Sequence, residues 1–107
     1  MRFLEPDGSF APTPEAEPLR AIVEGLDDAT LEQLYRDMAV IRAFDQQATM
    51  LQRQGQLALW PPSLGQEAAQ VGSARAARAQ DTIFPSYREH VVVKIRGVDP
   101  VSILALM

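Results

Sequence analysis

The stretch Thr82-Ile83-Phe84-Pro85-Ser86-Tyr87-Arg88-Glu89-His90 decides how this chain is expected to fold. Thr82 to Pro85 reads as a short strand. Ser86 and Glu89, three residues apart, have the spacing of a capping box, which starts a helix by pairing side chains with otherwise orphaned backbone N–H groups. A strand running into a helix N-terminus is the unit of open α/β sheets, which bind ligands at the carboxyl ends of their strands. The expected class is therefore α/β, mostly helix, with this one short strand. Tyr87 and Arg88 fall at the junction. Arg88 would point where the backbone N–H groups and the positive helix end also point, the outline of a phosphate site. An ordinary helix start with a solvated arginine is the other reading of the same residues.

Outward from the junction the pattern is helical. Val91-Val92-Val93 is β-branched and has strand propensity, but it follows a capping box and precedes Gly97, so a helix to about Arg96 is expected. Asp99 then caps a last helix with Pro100 at its first position. Upstream, Ser63 and Gln66 form a second capping box for a helix through Ala79, whose Gly72, Ser73, Ala74, Ala76 and Ala77 permit close backbone approach. Glu67 in its first turn is read as favouring the helix dipole and is not nominated as catalytic. Leu57 to Leu64 is a loop stiffened by Pro61 and Pro62 beside Trp60, the only tryptophan.

From Asp27 or Asp28 the apolar residues Leu31, Leu34, Met38, Ile41, Ala48 and Leu51 recur at helical spacing, and Gly55 supplies the stop. A helix of roughly 26 residues is about 39 Å long, too long for so few residues to cover, so it must pack against more protein. Asp45 interrupts the stripe and argues against a coiled coil. Before this helix, residues 1–26 read as an extended arm: four of the eight prolines lie there, with Glu5, Asp7, Glu15 and Glu17.

The composition narrows the function. A net charge of −4 disfavours nucleic acid and anionic membranes as principal partners. With no cysteine there is no disulfide, thiolate metal site or cysteine nucleophile. No signal peptide and no apolar run near the length of a membrane span are found, so a cytoplasmic protein is expected.

Ordered blocks along the chain resemble a known family. Leu34-Tyr35-Arg36-Asp37-Met38, Ile41-Arg42, Phe44-Asp45, Leu51-Gln52-Arg53-Gln54-Gly55 and Pro62-Ser63-Leu64-Gly65-Gln66-Glu67-Ala68-Ala69-Gln70-Val71-Gly72-Ser73 precede Asp81 and the stretch Phe84 to His90. In this order they resemble the alpha subunit of the thiamine-diphosphate-dependent dehydrogenase component of 2-oxoacid dehydrogenase complexes, such as the pyruvate and branched-chain enzymes. The resemblance runs from about Asp27 to Met107. It implies that residues 27–107 are the N-terminal portion of a thiamine-diphosphate-binding domain, a parallel sheet flanked by helices. The family's Gly-Asp-Gly motif and asparagine pair, which hold Mg2+ and the diphosphate, are absent, so the chain is expected to be an N-terminal fragment with no metal ligand and no catalytic residue of its own.

By position, the resemblance makes Tyr87 and Arg88 the contacts to the cofactor diphosphate. Leu59 and Tyr87 would line the substrate pocket. Leu59 stands where the family often has an aromatic residue, and Pro61 where some pyruvate-specific members have histidine. His90, the sole histidine, has either a core role or a pocket role. The implied activity is oxidative decarboxylation of a 2-oxoacid with acyl transfer to lipoyl. The implied partners are a beta subunit, in an alpha2beta2 heterotetramer, and a lipoyl-bearing acyltransferase. The alternatives are an acetoin dehydrogenase alpha subunit and a non-catalytic helical interaction module.

Overall fold

The computed structural model describes all residues, 1–107, in two compact units, Met1–Glu32 and Gln33–Met107. In the first, residues near Met1 turn back on themselves. Leu4 and Phe10 form an isolated antiparallel bridge, and the Phe3 and Phe10 rings stack with centroids 6.3 Å apart. A 3-10 turn, Glu17–Leu19, runs into α1, Arg20–Glu24. Arg20 fastens this segment through Glu17 and Glu24, and its guanidinium lies 5.5 Å from the centre of the Phe10 ring.

The long helix α2, Asp28–Arg53, forms where the periodicity places it. Asp27 caps it by accepting the Thr30 N–H at 2.8 Å, and Gly55, at φ 73°, turns the chain away in a conformation that other residues avoid. Three shorter helices follow: α3, Glu67–Ala76; α4, His90–Ile95; and α5, Pro100–Leu104. Asp99 caps α5 by accepting the Ser102 N–H, with Pro100 at the first helical position as expected.

The buried face of α2 organises the second unit. Ile41 packs with Val71 of α3 and Val91 of α4, flanked by Leu34, Met38 and Ile95. Two turns on, Ala48 packs with Trp60 and with Ile103 of α5, flanked by Phe44, Leu57 and Val93. Two reciprocal ion pairs tie α2 to α3. Arg75 of α3 reaches the buried Asp37 of α2, and Arg42 of α2 reaches the buried Glu67 of α3. Each carboxylate is buried while its arginine stays about half exposed.

Every regular element is helical, which corrects the expected strand. Residues 81–86 follow an irregular course with no ladder. A strand needs a neighbour to bond to, no other segment of the chain supplies one, and Pro85 lacks the N–H that a ladder would use. The lead-in is held instead by Arg96, whose guanidinium donates to the carbonyls of Arg78, Ala79 and Asp81 at 3.0, 2.7 and 3.2 Å.

Both inner capping boxes also differ from expectation. The Ser63 N–H and hydroxyl donate to Asp45, so Ser63 does not cap α3, which starts after Gln66 without a side-chain cap. At the second box the glutamate half forms, Glu89 accepting the Ser86 N–H, but Glu89 also accepts the Ser86 hydroxyl. A hydroxyl that donates to Glu89 does not cap, and α4 starts only at His90.

Candidate functional site

Tyr87 and Arg88 lie in the bend immediately before α4. Tyr87 is 70% exposed, and the Arg88 guanidinium rests over its ring at 5.5 Å, on the aromatic face and on no carboxylate. The Arg88 carbonyl accepts from Gln70 Nε2 at 3.3 Å, which pins the bend to α3 while leaving both side chains available. Glu89 is the opposing charge beside them. Its hydrogen bonds from Ser86, with a smaller contribution from the Arg88 charge, hold it below the usual carboxylate range.

Behind the bend is a buried polar cluster. A single oxygen of Asp45, Oδ1, accepts from Trp60 Nε1 at 3.0 Å, from the Ser63 N–H at 2.9 Å and from the Ser63 hydroxyl at 3.3 Å. His90 Nε2 lies 3.9 Å from the same oxygen, beyond hydrogen-bonding distance. Asp45 is 3% and His90 5% exposed, and neither ring nitrogen of His90 has a partner. The imidazole leans on the Trp60 indole, with centroids 4.4 Å apart and planes inclined by 46°. One carboxylate oxygen thus joins α2 to the proline-stiffened loop, with the first residue of α4 close by but not bonded to it.

His90 also borders a cavity of about 200 Å³ with Pro85, Ser86, Tyr87, Val93 and Ile103. The structure therefore brings Tyr87 and His90 to one site. Leu59 does not line that cavity and stands 62% exposed on its loop, while its neighbours Trp60 and Pro61 are buried. No three His, Asp or Glu side chains converge as a metal site.

Asp45 is marked in the sequence only as an interruption of the apolar stripe and not as the acceptor of a buried cluster. It stands four residues after Ile41 and three before Ala48, on the buried stripe, and the only tryptophan, whose indole N–H needs an acceptor when buried, is a short loop away. A carboxylate on the apolar face of a helix, in a chain whose one tryptophan must find an acceptor, was the available signal.

The cluster carries a pH dependence. Burial pushes the His90 imidazole below its ordinary value of 6.5, assisted by Arg88 and opposed by Asp45 and Glu89. Well above pH 6.5 the folded and unfolded chains bind the same number of protons at this group. As pH falls below 6.5 the unfolded chain takes a proton that the folded chain resists, so stability drops on acidification. We expect urea titrations to show this loss setting in as pH falls through about 6.5 and to show it absent in His90→Asn. Loss confined to lower pH, where the Arg42-held Glu67 protonates, would assign the effect to carboxylates instead.

The family model described as dehydrogenase E1 component matches residues 35–107. The chain belongs to the dehydrogenase E1 component family. It is 46% identical over 100 residues to the 3-methyl-2-oxobutanoate dehydrogenase subunit alpha of Mycobacterium tuberculosis (strain ATCC 25618 / H37Rv), covering 94% of this chain and 26% of that protein. It is 42% identical over 69 residues to the pyruvate dehydrogenase E1 component subunit alpha of Bacillus cereus, covering 64% of this chain and 19% of that one. Similarity to the mitochondrial 2-oxoisovalerate dehydrogenase subunit alpha 2 of Arabidopsis thaliana is 40% over 65 residues, covering 61% and 14%. The E1 chain thus spans about a quarter or less of the length of these relatives. No solved structure matches it. The E1 match contains the whole Asp45, Trp60, Ser63 and His90 cluster and the Tyr87-Arg88 bend. No helix of the E1 chain is long and apolar enough to cross a membrane.

Proposed function

We propose that this chain is part of the alpha subunit of a 2-oxoacid dehydrogenase, which oxidatively decarboxylates its substrate and passes the acyl group to lipoyl, and that Tyr87 and Arg88 hold the diphosphate of thiamine diphosphate. One observation carries the assignment of the site: in the E1 sequence frame, Arg88 presents a guanidinium paired with no carboxylate next to the exposed phenol of Tyr87. A guanidinium offers a diphosphate two parallel charge-assisted hydrogen bonds, and the phenol adds a third donor. Thiamine diphosphate, when bound, supplies the carbon nucleophile for decarboxylation. The chain's own contribution is to anchor and orient that group. The Mg2+ is assigned to the family's Gly-Asp-Gly motif and asparagine pair, which residues 1–107 do not contain.

In this reading residues 27–107 enter a parallel sheet completed by other parts of the subunit, and residues 1–26 lead into it as an arm. A beta subunit, in an alpha2beta2 heterotetramer, and a lipoyl-bearing acyltransferase are the proposed partners, in the cytoplasm. A branched-chain 2-oxoacid is the favoured substrate. Support comes from the extent of the similarity: the match to the 3-methyl-2-oxobutanoate enzyme covers 94% of the chain and so reaches into the N-terminal arm, whereas the match to the pyruvate enzyme covers 64%.

The test is turnover by the subunit assembled with its beta partner, thiamine diphosphate and Mg2+, read with an artificial electron acceptor. We expect 3-methyl-2-oxobutanoate to be used ahead of pyruvate. Acetoin cleavage without 2-oxoacid turnover would overturn the reading. Leu59→Phe is expected to change the ranking of 2-oxoacid side chains and leave cofactor affinity nearly intact. An unchanged ranking would remove Leu59 from the pocket.

A further inference from the structure

The Asp45 cluster has an incomplete geometry. The carboxylate is buried and hydrogen-bonded by neutral donors only, while the one imidazole of the chain stands 3.9 Å from it with both nitrogens unpartnered. A buried polar atom without a partner is costly to keep, and such atoms call for an explanation. As it stands, burial disfavours the imidazolium, so His90 is held neutral with both nitrogens unpartnered. Closing Nε2 onto Oδ1 would convert a near miss into a charge-assisted hydrogen bond, and the Trp60 face already in contact would gain a cation–π interaction. The charged groups that act on His90 are Asp45 from α2, which favours the proton, and its chain neighbours Glu89, which favours it, and Arg88, which opposes it. The Trp60 loop and α5 bring Trp60 and Ile103 against this region, neither of them charged.

An anion on Arg88 changes that balance. It neutralises the one charge that repels a proton from His90 and adds negative charge nearby. We propose that Asp45 and His90 are a positioning pair: an oxyanion bound at Tyr87 and Arg88 draws one proton from solvent onto His90, whose Nε2 then closes onto Asp45. This rests on the diphosphate reading of Tyr87 and Arg88. Asp45 already holds Trp60 and Ser63, so closure clamps the loop that carries Leu59 to the bend that carries the anion site. Occupancy of one is thereby communicated to the other, and the coupling is reciprocal: the anion binds more tightly where His90 takes its proton more easily.

Residues 1–107 hold one histidine and one tryptophan, so in the full subunit assembled with its beta partner, labelling this segment alone lets both partners report without ambiguity. The experiment titrates the His90 imidazole by NMR, and Trp60 emission in parallel, with and without inorganic diphosphate. It then measures binding heats for diphosphate in two buffers of different ionisation enthalpy. We expect diphosphate to raise the His90 midpoint by about one pH unit, a tenfold coupling. Trp60 emission should fall with the same midpoint as the imidazolium forms against it, and buffer-dependent heat should show proton uptake that His90→Asn lowers without abolishing binding. Asp45→Asn should bind the anion and lose most of the midpoint shift. If diphosphate binds and the His90 midpoint stays where it was, the pair is refuted while the anion site stands. If diphosphate does not bind at all, the anion site itself fails and the pair fails with it. The wild-type titrations decide the matter even where a variant does not fold.

Discussion

Asp45→Ala is expected to remove about 3–5 kcal/mol of stability, the cost of leaving the Trp60 indole N–H and the Ser63 N–H buried without an acceptor. Small domains hold only about 5–15 kcal/mol in total, toward the low end at this size, so the second unit should be left with little or no stability margin. Asp45→Asn keeps an acceptor oxygen for both donors and should cost only about 1–2 kcal/mol. The check is a chemical denaturation series followed through Trp60, which reports directly on the site. Equal losses in the two variants would mean that the carboxylate charge, and not its role as acceptor, holds the loop.

Arg88→Ala is the second large effect, and it falls on binding. A hydrogen bond to a charged group is worth about 1.5–3 kcal/mol, so the cofactor dissociation constant should rise roughly 10- to 150-fold in the assembled dehydrogenase. Stability should change little, because the guanidinium is anchored only on the Tyr87 ring and the bend is held through the Arg88 backbone carbonyl, which alanine retains. Saturating cofactor should then restore most of the turnover. A fall in turnover that excess cofactor does not repair would give Arg88 a role beyond anchoring.

The helices were the legible part of the sequence, for identifiable reasons. In α2, periodicity, the Asp27 cap and the Gly55 stop all agree, and its observed span, Asp28–Arg53, follows them. Asp99 and Pro100 mark the start of α5 just as clearly. The two inner capping boxes misled because serine spacing does not say whether the hydroxyl accepts or donates. Ser63 is taken by a buried carboxylate eighteen residues upstream, and Ser86 donates to Glu89. The strand at Thr82 to Pro85 is a tertiary matter, since its propensity is met only if a neighbouring strand is present. At the site, Tyr87 and Arg88 stood out as candidates from the residues around the junction and from the family blocks. The cluster behind them did not, because Asp45, Trp60 and His90 are far apart in sequence and each looks ordinary alone.

The central claim is that Arg88 reads the diphosphate and not the rest of the cofactor. Titrating thiamine and thiamine diphosphate in parallel into the assembled dehydrogenase, wild type and Arg88→Ala, tests it most directly. The substitution is expected to weaken thiamine diphosphate by about one to two orders of magnitude and to leave thiamine unchanged. Equal weakening of both ligands, or of neither, would contradict it.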